Sequence, residues 1–197
     1  INIIKQTLPS VTLLENEPMK SHCSFRTGGP VRVLALPSDE ASLLSLCFLL
    51  KENGITPYIL GNGTNVVFPD EGAEELFVLC TGAMQSVCLL SGGEICASAG
   101  LPLSRLAAFA LEHSLTGLEF ASGIPGSVGG GVLMNAGAYG GEMKQVLYRC
   151  DHIDENGDAG FLCRGDGLGD LLVRGGIRGG AVASAIPDLR CGIIFIK

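Results

Sequence analysis

The sequence predicts an α+β fold of two successive subdomains, and three observations predict it. A strand, helix, strand pattern fills residues 31–60, a hairpin followed by an amphipathic helix fills residues 87–114, and each half carries a glycine-rich loop, at 61–65 and 122–140. The change of texture at Thr81-Gly82 places the boundary, so 1–80 and 81–159 read as the two subdomains and 160–197 as an atypical glycine-rich tail.

Each element has a local reason. Residues 1–20 are weakly periodic, with a strand or short helix expected around Val11 to Leu14. Val31 to Leu36 is rich in β-branched and aliphatic residues and stops at Pro37, as a strand would. Ser38 is the expected helix cap, Asp39 and Glu40 occupy the first turn where the helix dipole favours them, and Asn53-Gly54 closes the far end. Leu43, Leu46, Cys47 and Leu50 then share one face. A strand over Pro57–Leu60 completes the unit, most simply a parallel pair joined by a right-handed crossover, and Leu76–Cys80 reads as a further buried strand. In the second half, Val87–Leu90 and Glu94–Ala99 alternate about Ser91-Gly92-Gly93 as a hairpin. Pro102 suits a first helical position, and Leu103, Leu106, Ala107, Ala110 and Leu111 recur at core-facing helical spacing up to Ser114–Gly117.

Composition excludes several functions. The 197 residues are 47% hydrophobic with a mean hydropathy of +0.40, which suits a globular chain with a proper core. A net charge of −7 and a pI near 4.9 set a field that repels phosphate backbones, so no nucleic-acid partner is expected and any phosphate site must be local. The apolar run Leu43–Leu50 is too short to span a bilayer and no secretory signal is visible, so no membrane partner is expected. The chain opens on Ile1 rather than Met, consistent with a chain that lacks its natural start. Eight cysteines are scattered with no Cys-x-x-Cys pair and no histidine at ligand spacing, so they read as reduced, cytoplasmic and structural, with no metal site. No protein partner is evident.

Two readings fit Gly61-Asn62-Gly63-Thr64-Asn65. It is either a hairpin turn between apolar runs, or a loop that bares amide N–H groups to an anion such as a pyrophosphate, with the asparagine amides and the threonine hydroxyl as further donors. The second run, 122–140, is packed with glycine and almost free of charge, which costs backbone entropy unless something must approach the main chain closely.

Five motifs, spread from about Asn16 to about Gly157, carry a resemblance. They are His22-Cys23-Ser24-Phe25-Arg26-Thr27-Gly28-Gly29-Pro30, the Gly61–Asn65 loop, Gly117-Leu118-Glu119-Phe120, Gly123-Ile124-Pro125-Gly126-Ser127-Val128-Gly129-Gly130, and Asn135-Ala136-Gly137-Ala138-Tyr139-Gly140. In order and spacing the chain resembles the UDP-N-acetylenolpyruvoylglucosamine reductase (UDP-N-acetylmuramate dehydrogenase) family. The resemblance implies a two-subdomain FAD-binding fold of the vanillyl-alcohol-oxidase/PCMH type. It also implies FAD and NADPH as cofactors, and NADPH-linked reduction of a UDP-sugar substrate, UDP-N-acetylglucosamine enolpyruvate, to UDP-N-acetylmuramate for peptidoglycan.

By that resemblance Gly61, Asn62, Gly63, Thr64 and Asn65 would hold the FAD pyrophosphate, and Gly123, Ile124, Pro125, Gly126, Ser127, Gly129 and Gly130 would line the flavin from the other side. Asn135 and Tyr139 would sit near the flavin or substrate. Arg26 reads either as a phosphate or carboxylate contact or as a salt-bridged structural arginine, and His22 and His113 read as structural, without carboxylate partners. The family also has a third, substrate-binding domain, in which an arginine after a tyrosine meets the substrate carboxylate, a serine delivers a proton, and a late glutamate assists. That domain is expected to be absent or incomplete here: Tyr148-Arg149 lacks the surrounding pattern, Ser184 has no matching context, and no glutamate follows Glu155. Gly165, Gly167 and Gly169 do not form a dinucleotide fingerprint. The expectation is therefore a fragment, or a copy whose reading frame slipped near residue 160, with catalytic residues unassigned. The alternatives are a flavin-binding module without activity, or another FAD oxidase of the same fold.

Overall fold

The apolar run before Pro37 forms the strand its composition requires, β2 (Pro30–Leu36), in a computed structural model that describes residues 1–153, 159–164 and 190–196. A short helix α1 (Asn2–Thr7) precedes β1 (Thr12–Pro18), which settles the first ambiguous stretch as strand and pairs antiparallel with β2. The helix α2 (Glu40–Glu52) buries Leu43, Leu46, Cys47 and Leu50, as its periodicity requires. Its cap is Asp39 rather than Ser38: Asp39 Oδ1 accepts the Ser42 N–H at 2.8 Å, and the Ser38 hydroxyl donates to Asp39 Oδ2 at 2.9 Å. A carboxylate satisfies an orphan helix donor and faces the positive end of the dipole at once, which a hydroxyl does not.

The strands β3 (Tyr58–Leu60) and β4 (Ala73–Cys80) complete the first sheet in the order β1-β2-β4-β3. β2 and β3 do run the same way, but they are not neighbours; β4 lies between them and is parallel to both. The reason lies in burial. Phe77, Val78, Leu79 and Cys80 are all buried, so this strand needs cover on both faces and an interior place, while the three-residue β3 takes the edge.

Beyond residue 81, β5 (Val87–Leu89) and β6 (Ile95–Ser98) form the expected hairpin. The helix α3 (Leu103–Glu112) follows with Pro102 at its cap, then a 3-10 turn at Glu119–Gly123, a short helix α4 (Val128–Leu133), a two-stranded turn of β7 (Gly137–Ala138) and β8 (Gly141–Glu142), and α5 (Met143–Val146). The strands β9 (Leu147–Ile153), β10 (Ala159–Cys163) and β11 (Arg190–Ile196) enter the second sheet, whose order is β10-β9-β11-β6-β5. β11 thus sits inside that sheet, antiparallel to both β9 and β6. Glu155, the glycines at 165, 167 and 169, and Ser184 lie outside the described residues.

One apolar cluster joins the halves. It runs from Val33, Ala35, Phe77 and Leu79 through the buried face of α2 to Ile95, Leu103, Leu106, Val128, Leu147 and Ile196. A second cluster, with Met19, Val31, Leu34, Leu60, Phe68 and Val78, covers the other face of the first sheet. Burying each such aliphatic side chain contributes about 1.5–3 kcal/mol. Leu111 departs from the expected face and is 78% exposed. At 100° per residue it lies far around the helix from Leu103 and Leu106, one residue before the helix ends. No helix among the described residues is long and apolar enough to cross a membrane. Among the same residues no group of three metal-ligating side chains occurs, and seven cysteines are free thiols.

Candidate functional site

The loop that leaves β3 cannot be a hairpin turn, because β3 and β4 are parallel. It must travel back along the sheet before β4 begins. Phe68, where a strand seemed to resume, is instead buried edge-on against Tyr58, with ring centroids 5.8 Å apart. The loop is anchored through its carbonyls and its outer end. Ser24 N–H donates to Gly63 O at 2.9 Å, Thr81 N–H to Leu60 O at 2.9 Å, and Gly29 N–H to Pro69 O at 2.9 Å. Gly63 has φ +62°, and a Cβ there would overlap the His22 carbonyl oxygen, so only glycine fits.

Held this way, the loop keeps its donors. None of the five amide N–H groups from Gly61 to Asn65 donates a hydrogen bond to another described residue. Gly63 is buried, Gly61 and Thr64 are half-buried, and the Asn62 and Asn65 side chains are exposed. Backbone donors at such a place require a partner, and no described residue supplies it.

The second glycine-rich stretch comes to the first. Thr64 Oγ1 donates to Pro125 O at 3.4 Å, and a Cβ on Gly61 would strike Ser127 Oγ. Ser127 is the cap of α4, its hydroxyl accepting the Gly130 N–H at 3.3 Å, while the Gly126 and Ser127 N–H groups donate to no described residue. Space beside Gly123 is open, and Ile124 is partly buried against the core. Gly61, Thr64, Pro125, Gly126 and Ser127 therefore form one constellation between the two sheets.

Other expected positions are committed elsewhere. Gly129 packs its Cα side against Ala99 and donates its N–H to Ala99 O at 2.8 Å; Gly130 spends its N–H on the cap. Asn135, at φ +44°, donates from Nδ2 to Glu142 Oε2 at 2.7 Å and accepts the Lys144 N–H at 3.0 Å, which ties α4 to α5. Tyr139 is fully exposed at the β7–β8 turn. Arg26 is exposed, at φ +55°, with no ion pair among the described residues. Arg149 is engaged by Asp151, at 2.5 and 3.1 Å, with the Phe161 ring 4.6 Å from its guanidinium.

Sequence reasoning missed three neighbours of the constellation. His22 has a carboxylate partner after all, Nε2 lying 2.7 Å from Glu17 Oε1, since the strand β1 turns back to bring Glu17 beside it. Cys80 Sγ donates to Gly61 O at 3.5 Å, and burial pushes its thiol above the ordinary range. Thr81, 5% exposed, donates from Oγ1 to Leu60 O at 3.4 Å. For Cys80 and Thr81 the only available signal was their place at the end of a buried strand. A separate cavity of ≈ 240 Å³, lined by Glu40, Leu43, Arg149, Asp151 and Phe161 among others, shares no residue with either glycine-rich stretch.

The pattern of a family described as an FAD binding domain matches residues 31–159. The UDP-N-acetylenolpyruvoylglucosamine reductase of Caldanaerobacter subterraneus subsp. tengcongensis is 45% identical over 156 residues, covering 79% of this chain and 51% of the relative. That of Alkaliphilus oremlandii is 39% identical over 159 residues, 81% of this chain and 52% of the relative. The chain thus spans about half the length of these curated relatives. Among solved structures, UDP-N-acetylenolpyruvylglucosamine reductase from Thermus caldophilus superposes with a TM-score of 0.67 at 27% identity, over 95% of this chain and 61% of that one. Cholesterol oxidase from B. sterolicum superposes at 0.65 with 13% identity, over 96% and 37%, a likeness of fold alone.

Proposed function

The chain belongs to the FAD-binding domain family, with the two-subdomain α+β fold of the vanillyl-alcohol-oxidase/PCMH type, and from that premise we propose that it is the flavin-holding part of a UDP-N-acetylenolpyruvoylglucosamine reductase. The observation that carries this reading is the meeting of Gly61 and Thr64 with Pro125, Gly126 and Ser127, with seven amide donors around the contact that no described residue accepts. An FAD diphosphate is an acceptor of the right kind: it takes several N–H bonds at once and needs no cation from a chain whose net charge is −7.

On this reading the Gly61–Asn65 amides, the Thr64 hydroxyl and the Asn62 and Asn65 side chains hold the diphosphate. Gly123, Ile124, Pro125, Gly126 and Ser127 give the flavin a surface poor in side chains. Gly129 positions α4 behind that surface by packing on Ala99, Gly130 by donating its N–H to the Ser127 hydroxyl, and Asn135 fixes the α4–α5 connection. Bound FAD supplies a two-electron hydride carrier, recharged by NADPH, for reduction of the enolpyruvyl group of a UDP-sugar. Arg149 is paired with Asp151, and the reading gives it no part in binding the substrate carboxylate.

The test is a flavin absorbance spectrum of the purified chain after incubation with FAD and gel filtration. Retained flavin absorbance at near-stoichiometric level supports the site, and a colourless protein refutes it. Bleaching by NADPH, followed by recovery only when UDP-N-acetylglucosamine enolpyruvate is added, supports the reductase activity. Retained flavin that NADPH does not bleach leaves a binding module.

A further inference from the structure

Cys88 and Cys96 stand directly opposite each other on the β5–β6 hairpin. The hydrogen bonds from Ser98 N–H to Ser86 O, at 3.0 Å, and from Leu90 N–H to Glu94 O, at 2.7 Å, bracket the pair two residues away on each side. That spacing makes Cys88–Cys96 a hydrogen-bonded rung, with Cα atoms about 5.5 Å apart. A disulfide needs Cα atoms roughly 4.4–6.8 Å apart, so the backbone already stands at bridging distance. Facing residues of a rung project to the same side of the sheet, so the two thiols are neighbours on one face. Cys88 is exposed and Cys96 half-buried, whereas Cys23, Cys47, Cys80 and Cys150 are buried.

We propose that Cys88 and Cys96 are a redox modification site, closed to a cross-strand disulfide by hydrogen peroxide and reopened by thiols. Environment divides the roles. Burial, then the adjoining Cys88, pushes the Cys96 thiol up to about 11, so Cys96 stays protonated while solvent-facing Cys88 meets the oxidant. The Cys88 thiolate attacks one peroxide oxygen, the O–O bond breaks, and the departing hydroxide takes up a proton as water. This leaves a sulfenic acid on Cys88. The Cys96 sulfur then attacks Cys88, the S–O bond breaks, and the hydroxyl leaves with the Cys96 proton as a second water. Together the two thiols give up two electrons and two protons, and the peroxide is reduced to two waters.

The same rung makes the bond easy to reopen. Opposed Cβ atoms in a ladder are about 4.5–5.5 Å apart and a disulfide wants about 3.8 Å, so closure pulls the strands together and strains the link. Strained, exposed disulfides have the more oxidising potentials and yield to cellular thiols. Closure also ties the edge strand β5 covalently to β6. That strand runs on into Ala99 and Leu101, whose carbonyls accept the Gly129 and Val128 N–H groups at 2.8 Å each.

The experiment treats the reduced full chain with a small excess of hydrogen peroxide, alkylates the remaining thiols, and maps peptides by mass spectrometry. The expected result is a Cys88–Cys96 linked peptide that dithiothreitol reverses. It should be absent from Cys88→Ser and Cys96→Ser, and Cys96→Ser should accumulate a dimedone-reactive sulfenic acid on Cys88. Full alkylation of both residues in the oxidised wild type overturns the proposal, as does a disulfide that joins either one to a different cysteine. Because Cys88 is exposed, Cys88→Ser keeps the test decisive even if Cys96→Ser folds poorly.

Discussion

A Cβ on Gly61 would collide with Ser127 Oγ, and this relationship fixes the loop after β3 against the start of α4. Gly61→Ala must push one of them away. We expect it to lower FAD retention at least tenfold, read by flavin fluorescence titration. Ser127→Ala removes the obstructing oxygen but also the cap on Gly130, at about 1 kcal/mol. In the double variant the collision is gone, so the two changes should be non-additive by about 0.5–3 kcal/mol in flavin binding. Strict additivity would mean that the two residues do not meet.

Gly63 is a test of the loop without any ligand. At φ +62°, with its Cβ position filled by the His22 carbonyl oxygen, Gly63→Ala meets both backbone strain and a steric conflict. The expected destabilisation is about 1–3 kcal/mol, measured by urea unfolding with an unchanged m-value. A change smaller than about 0.5 kcal/mol, within the usual range of surface substitutions, would contradict the anchoring of this loop by residues 22–24.

The parts of this architecture legible in the sequence are those set by local pattern. Leu103, Leu106, Ala107 and Ala110 mark their helix face by spacing alone, and all four are buried. The glycines at 92 and 93, both at positive φ, mark the hairpin turn. What escaped is set by distant contacts. Nothing near Leu76 says that β4 will enter between β2 and β3; that follows from its burial on both faces, which depends on both apolar clusters. At Gly129 the missing side chain has a further reason, packing against Ala99, which no local pattern shows. The Glu17–His22 pair depends on the course of β1, a strand whose weak periodicity left even its type open.

Among the described residues Thr64 carries the side-chain hydrogen bond across the constellation, to Pro125 O at 3.4 Å, and on the proposed reading its single hydroxyl proton turns from that carbonyl to the bound ligand. Thr64→Val keeps the shape and removes both roles. Loss of one such bond is worth about 0.5–1.5 kcal/mol, so FAD affinity should fall roughly threefold to tenfold, while Thr64→Ser stays within about twofold of wild type. Equal losses in the two variants would assign the effect to the methyl group and sink the hydroxyl's role.

Asp39 gives a pH signature that owes nothing to the flavin site. The Ser42 N–H and then the Ser38 hydroxyl hold its carboxyl below the ordinary aspartate range. A carboxylate with a depressed folded pKa contributes stability above its unfolded value, about 3.9, and loses it as pH falls through the folded value. Asp39→Ala should therefore lower the melting midpoint by roughly 2–4 °C at neutral pH through loss of the cap. That gap should stay constant from pH 7 to about pH 5 and narrow below about pH 4, where wild type loses its charge and the variant has none to lose. Asp39→Asn retains a capping oxygen without the charge, so its midpoint should lie above that of Asp39→Ala by an amount that does not change with pH. A wild-type gap that persisted unchanged to pH 2.5 would show that the ionised carboxylate is not what holds the Ser42 N–H.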